Sequence, residues 1–231
     1  MKTAIITGGT KGLGRELSLA FGRAGYYVVA LYFSDDVAAQ KLSAELGAMG
    51  VALKHDVCSE DSSVWNRPEI ENAESLALVH NACAAFTPAP MHQLRWTDFE
   101  SNFFVAVKGA WFCSQSLIRL MLKKRGAIVN VLTTANEGVP PKGFAAYVVA
   151  KSALGSFTQA LAVEYAQRGI KIFSVSPGYM DTPLTSQWDS RLRDVIRSNS
   201  TRITLPSEAA KRVLALLESS DLPGRGENYP V

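Results

Sequence analysis

Ala4-Ile5-Ile6-Thr7-Gly8-Gly9-Thr10-Lys11-Gly12-Leu13-Gly14-Arg15-Glu16-Leu17-Ser18-Leu19-Ala20 is the stretch that decides the fold. A short apolar run passes through a glycine-rich turn straight into a segment of helical periodicity. Such a turn aims several backbone N–H groups and the positive end of the helix dipole at one point, which suits a pyrophosphate. Glycines permit the tight turn and let a ligand approach the backbone closely. The spacing Gly8-x-x-x-Gly12-x-Gly14 departs from the common Gly-x-Gly-x-x-Gly, so its weight comes from its place between a first strand and an amphipathic helix.

Outward from this unit, apolar runs recur at 4–6, 28–31, 51–53, 76–79, 128–132 and 172–175. The spacing predicts helices over 12–24, 35–48, 96–122, 144–167 and 206–219. Strands that read as unbroken Val, Ile, Leu and Ala runs are covered on both faces. With right-handed crossovers, the expectation is an α/β, doubly wound parallel sheet. The polar segment 59–73 carries Pro68, so its crossover helix should be short or broken. No linker or repeat divides the chain, and 1–231 reads as a single domain.

With 231 residues and 47% hydrophobic side chains, the chain can bury a sizeable core. It has no run near the roughly 18 apolar residues of a membrane span and no cleavable apolar leader, so a cytoplasmic location is expected. Its 24 basic and 21 acidic side chains leave +3, too little for a nucleic-acid binder, so small molecules are the expected partners. Cys58, Cys83 and Cys113, with His55, His80 and His92, form neither a Cys-x-x-Cys pair nor a metal-ligand spacing; no disulfide and no metal are expected.

Tyr147-Val148-Val149-Ala150-Lys151 puts a phenol and an ammonium four residues apart, on one face of a helix. A neighbouring cation favours phenolate and brings a tyrosine closer to useful acid or base chemistry at neutral pH. Taken together, Thr7-Gly8-x-x-x-Gly12-x-Gly14 and Tyr147-x-x-x-Lys151 resemble the short-chain dehydrogenase/reductase family. The likeness runs over roughly residues 3–219, through Asp56-Val57, His80-Asn81-Ala82-Cys83 and Pro177-Gly178 with Thr182, and includes 3-oxoacyl-carrier-protein reductase-like members.

That resemblance implies a Rossmann-type sheet and hydride transfer between NAD(P) and an alcohol or carbonyl carbon. It also implies proton donation by Tyr147, with Lys151 lowering the phenol pKa and holding the nicotinamide ribose. Gly8, Thr10, Lys11, Gly12, Leu13 and Gly14 would form the phosphate turn, and Asp56 and Val57 would flank the adenine. Asn81 and Ala82 would lie along the cofactor, and Pro177, Gly178 and Thr182 would border the nicotinamide. The family's usual serine is absent. Counting three from Asn130 selects Thr133, whereas counting thirteen back from Tyr147 selects Thr134; both stand as candidates, with the second count preferred.

Other departures follow from the same comparison. The family's relay-water Asn aligns with Ala106, and Asn102 lies about 6 Å earlier along the helix axis. Cys83 replaces a common Gly. The C-terminal 222–231 stops where relatives continue, so six strands with a shortened or missing seventh are expected. The second strand ends Tyr32-Phe33-Ser34 without the carboxylate of NAD-preferring relatives, although Asp35 and Asp36 follow. Lys11 and Ser34 would instead meet a 2′-phosphate, favouring NADPH over NAD.

The substrate would lie beneath a loop at about 178–205 bearing Met180, Leu184 and Trp188. The reading is an NADPH-dependent reductase of a ketone or aldehyde, small or carrier-bound, 3-oxoacyl thioesters included, acting as a homo-oligomer, dimer or tetramer. The alternative, motivated by Ala106 and the threonines, is a catalytically weakened NADP-binding regulatory or interaction protein.

Overall fold

The computed structural model describes residues 1–200, 202–221 and 224–231. Thr201 of the expected 178–205 loop, and Leu222 and Pro223 of the C-terminal stretch, lie outside the described residues.

In chain order the first half runs β1 (Lys2–Thr7), α1 (Gly12–Arg23), β2 (Tyr26–Tyr32), α2 (Asp36–Leu46), β3 (Gly50–Lys54), α3 (Pro68–Glu71), β4 (Ser75–His80) and α4 (Trp96–Phe103). The second runs α5 (Gly109–Met121), β5 (Arg125–Val131), α6 (Ala145–Tyr165), β6 (Lys171–Ser176), α7 (Pro183–Ser186), α8 (Ser190–Asn199), α9 (Pro206–Glu218) and β7 (Arg225–Pro230). The strands form one parallel sheet of order β3-β2-β1-β4-β5-β6-β7.

Period-two alternation explains the unbroken apolar runs. Ile6, Val28, Ala30 and Val79 pack with Leu17 and Phe21 of α1 and Val213 of α9, whereas Ile5, Val29, Leu78 and Ile128 pack with Leu117 and Met121 of α5 on the other face. Strand order reverses between β1 and β4, so the chain leaves these neighbours toward opposite faces and a crevice opens beyond their carboxyl ends. Asn81, just past β4, spans it: its amide Nδ2 donates to the carbonyls of Thr7 (3.0 Å) and Gly8 (3.1 Å), and its backbone N–H to the Thr7 hydroxyl (3.0 Å).

Two expectations need correction. The seventh strand is present. Its sequence, Arg-Gly-Glu-Asn-Tyr-Pro, is polar and carries a proline, but as an edge strand it needs pairing on one side only. Side chains replace the missing apolar signal: Asn228 Oδ1 accepts from the hydroxyls of Ser174 (3.2 Å) and Ser176 (3.1 Å), and Tyr229 meets Phe173 edge to face. The single helix expected over 96–122 is α4 and α5 joined by a π-helical turn, Phe104–Lys108. The segment 59–73 forms one 3-10 turn and the four-residue α3, as its composition foretold.

Candidate active site

The cleft beyond β1, β4 and β5 has a volume of about 760 Å³. At one end the turn after β1 supplies Gly8, Thr10, Lys11, Gly12, Leu13 and Gly14 to its wall. No side chain caps α1 and no acidic residue sits in its first turn, so its leading N–H groups are left for a ligand. Gly8 has φ +61, a conformation that side chains resist, and a Cβ on Gly14 would strike the Gly8 carbonyl oxygen. This close-packed turn, open to the cleft at an uncapped helix start, fits the pyrophosphate of a dinucleotide. Ser34, Asp56, Val57, Asn81 and Ala82 also line the cleft.

Lys11 is not a free cation. Its ammonium lies 3.1 Å from Asp35, whose other oxygen accepts the Ala38 N–H at the start of α2 (3.0 Å). That N–H, with Lys11, holds the Asp35 carboxyl below the usual carboxylate range.

At the other end stand Tyr147 and Lys151 on α6 and Thr133 just past β5. The buried Lys151 ammonium donates to the Val131 carbonyl (2.6 Å) and lies 6.0 Å from the Tyr147 ring centre. Loss of hydration raises the Tyr147 phenol above its ordinary range; the negative charge Cys83 would carry once ionised adds to this, and a hydrogen-bonding interaction with the Thr133 side chain pulls the other way. Burial lowers the Lys151 pKa. Of the two candidate threonines, Thr133 lines the cleft, and its hydroxyl accepts the Ala135 N–H (3.1 Å), while the Thr134 N–H is tied to the Pro177 carbonyl (3.1 Å).

Cys83 lines the cleft, and burial pushes its thiol up, so it is held as the neutral S–H. His80 is buried behind the site with Nε2 3.0 Å from the Ser114 hydroxyl; burial, helped by the Lys151 charge, pushes its pKa down to about 3. Ala106 is buried in the π-helical turn. Asn102 does not take its place, because its amide donates to the Asp98 carbonyl of its own helix (2.9 Å).

Pro177, Gly178 and Thr182 border the cleft from the loop after β6, with Met180 and Leu184 above it. The loop is clasped at its base: Tyr179 N–H donates to the Arg202 carbonyl (2.9 Å) and Thr204 N–H to the Tyr179 carbonyl (2.8 Å). His55 and Cys58 at one end, and Ser101, Phe104 and Gln187 at the other, also line the cleft. No spacing marks these residues in the sequence; tertiary folding alone brings them in. Among the described residues, no cluster of His, Cys, Asp or Glu suits a metal, and no helix is long and apolar enough to cross a membrane.

Comparison with known proteins agrees with this geometry. The family model for short chain dehydrogenases matches residues 2–193. Oxidoreductase UcpA of Salmonella typhimurium is 33% identical over 192 residues, covering 79% of this chain and 71% of its own. A 3beta-hydroxysteroid dehydrogenase of Mediterraneibacter gnavus is 29% identical, covering 98% of this chain and 80% of its own. Among solved structures, a 3-ketoacyl-(acyl-carrier-protein) reductase from Brucella melitensis complexed with NADH superposes with a TM-score of 0.85 at 25% identity, covering 100% of this chain and 96% of its own.

Proposed function

The chain belongs to the short-chain dehydrogenase/reductase family, and from that premise we propose that it is an NADPH-dependent oxidoreductase that reduces a ketone or aldehyde to an alcohol. The observation that carries this reading is the meeting, in one cleft, of the uncapped glycine turn with Tyr147, Thr133 and Lys151.

When bound, the nicotinamide supplies the hydride. Tyr147 donates its phenolic proton to the carbonyl oxygen, and the Thr133 hydroxyl hydrogen-bonds the same oxygen and holds it in line. Lys151 holds the ribose hydroxyls and stabilises the phenolate that proton transfer leaves behind. The N-terminus of α1 takes the pyrophosphate, and Asp56 and Val57 border the adenine. Pro177, Gly178 and Thr182 hold the nicotinamide end. Lys11 and Ser34 meet the 2′-phosphate, with Lys11 exchanging its Asp35 partner for it.

Apart from Lys151, the lining near Tyr147 carries no charge: Cys83, Ala84, Ala85, Leu132, Met180 and Leu184 line it, and the Gln187 amide N–H donates to the Leu184 carbonyl (3.1 Å). A substrate neutral and apolar around its carbonyl fits, and the acyl end of a 3-oxoacyl thioester meets that description. Ala106 favours a second reading, a weakened catalyst that acts mainly by binding NADP, because nothing at that position holds a relay water.

Titration of the protein's four tryptophans with NADPH and NADH tests the cofactor assignment. Tighter NADPH binding is expected, with Lys11→Ala weakening NADPH about tenfold and leaving NADH unchanged, since a hydrogen bond to a charged group contributes about 1.5–3 kcal/mol. Tighter NADH binding would overturn it.

A further inference from the structure

The Tyr147 ring is held from outside α6. The Phe86 ring, from the loop after β4, lies flat against it, with centres 4.6 Å apart and planes 13° from parallel. Edge-on contacts surround the pair: Phe144 meets Tyr147 at 5.9 Å and Phe86 at 5.4 Å, and Trp188 meets Phe86 at 5.3 Å and Phe144 at 5.7 Å. Trp188 lies between α7 and α8 in the loop after β6, and its indole N–H donates to the Phe86 carbonyl (2.6 Å). Phe144 and Trp188 are buried, at 5% exposure each.

Offset stacking and edge-to-face contact each contribute beyond area burial, and here they fix a ring plane. α6 sets where the Tyr147 Cβ stands, while the Phe86 face, with the Phe144 edge beside it, restrains the turn of the ring about its own bonds. The same face keeps water off one side of the phenol.

We propose that Phe86 is a positioning residue for Tyr147, anchored by the Trp188 indole, so that the loop after β6 governs both the orientation and the hydration of the proton donor. The proposal rests on the reading of Tyr147 as that donor. It ties the substrate loop to the acid: a loop that lifts Trp188 releases Phe86, and a loop that seats it restores the stack.

The test is a stopped-flow jump from neutral pH to pH about 11, reading phenolate absorbance in the wild-type protein, Phe86→Ala, Phe86→Tyr and Trp188→Phe, each against its own Tyr147→Phe derivative. Phe86→Ala hydrates the phenol, so at least about threefold more Tyr147 phenolate is expected in the dead time, corresponding to a pKa lower by about half a unit. Phe86→Tyr restores the wild-type value, and Trp188→Phe, which keeps a ring but loses the N–H, falls between. A Phe86→Ala protein that melts and binds NADPH like the wild type and shows the wild-type phenolate fraction would overturn the proposal. Turnover of the ketone substrate separates this failure from that of the underlying reading. Full activity in Tyr147→Phe removes the donor assignment and the proposal with it, whereas an inactive Tyr147→Phe beside an unaltered Phe86→Ala removes the proposal alone.

Discussion

His80 shows what a single buried residue contributes. Its imidazole is neutral, with a pKa pushed down to about 3, because burial forbids the charged form and Lys151 repels it. The unfolded chain takes up a proton near the ordinary histidine value, about 6.5, and the folded chain does not. This group's contribution is therefore fully present above pH about 6.5 and is lost as pH falls toward 3, at up to about 1.4 kcal/mol per pH unit. Urea denaturation at pH 7, 5.5 and 4.5 checks this: His80→Asn should flatten the acid slope by close to one proton, and an unaltered slope would contradict it. Residue types legible in the sequence included His80 itself, Tyr147 and Lys151, but not which threonine joins them. The two counts disagree because an extra residue lies between β5 and α6, and only the folded loop brings Thr133 to the wall of the cleft. Phe86 had no signal at all, since its partner lies 61 positions away and stacking has no sequence period.

Among the elements, the junction of α4 and α5 has the most direct functional consequence. A π-helical turn is a common mark of functional sites, and here it buries Ala106, the position at which the family resemblance implies a relay Asn. On the proposed reading Tyr147 regains a proton after each turnover, and Lys151, whose ammonium donates to the Val131 carbonyl, has no polar side chain at position 106 to pass one along. Ala106→Asn is predicted to raise kcat several-fold, with NADPH affinity unchanged. Steady-state kinetics checks this, and an unchanged kcat shows that proton return does not limit turnover. Elements with a strong period were legible: the glycine turn into α1, the apolar strands β1 to β6, and α6. β7 was not, because an edge strand held by Asn228 and Tyr229 leaves no apolar alternation to read. The π-helical turn was equally hidden, since one extra residue in a turn barely changes helical periodicity.

For the whole molecule, the parallel sheet and its switch point between β1 and β4 place the cleft; the apolar pattern was enough to read the sheet, while the strand order that sets the switch point came from the fold. Trp96, Trp111 and Val163 are exposed on the outer faces of α4 to α6 at 69, 51 and 84%, more apolar surface than solvent-facing helices usually carry, which supports the homo-oligomer proposed from the family. If the chain self-associates through this face as proposed, light scattering should give a multimer for the wild type and a monomer for Trp111→Glu combined with Val163→Glu; a wild-type monomer, or an unchanged mass in the variant, would overturn the proposal. The central claim is that Tyr147 donates the proton in a cleft that binds NADPH independently of it. Its most direct measurement compares ketone-dependent NADPH oxidation and NADPH affinity in the wild-type protein and Tyr147→Phe. A fall in turnover of about 10²- to 10⁴-fold is expected, with NADPH affinity held within about twofold. Turnover retained by Tyr147→Phe would contradict it.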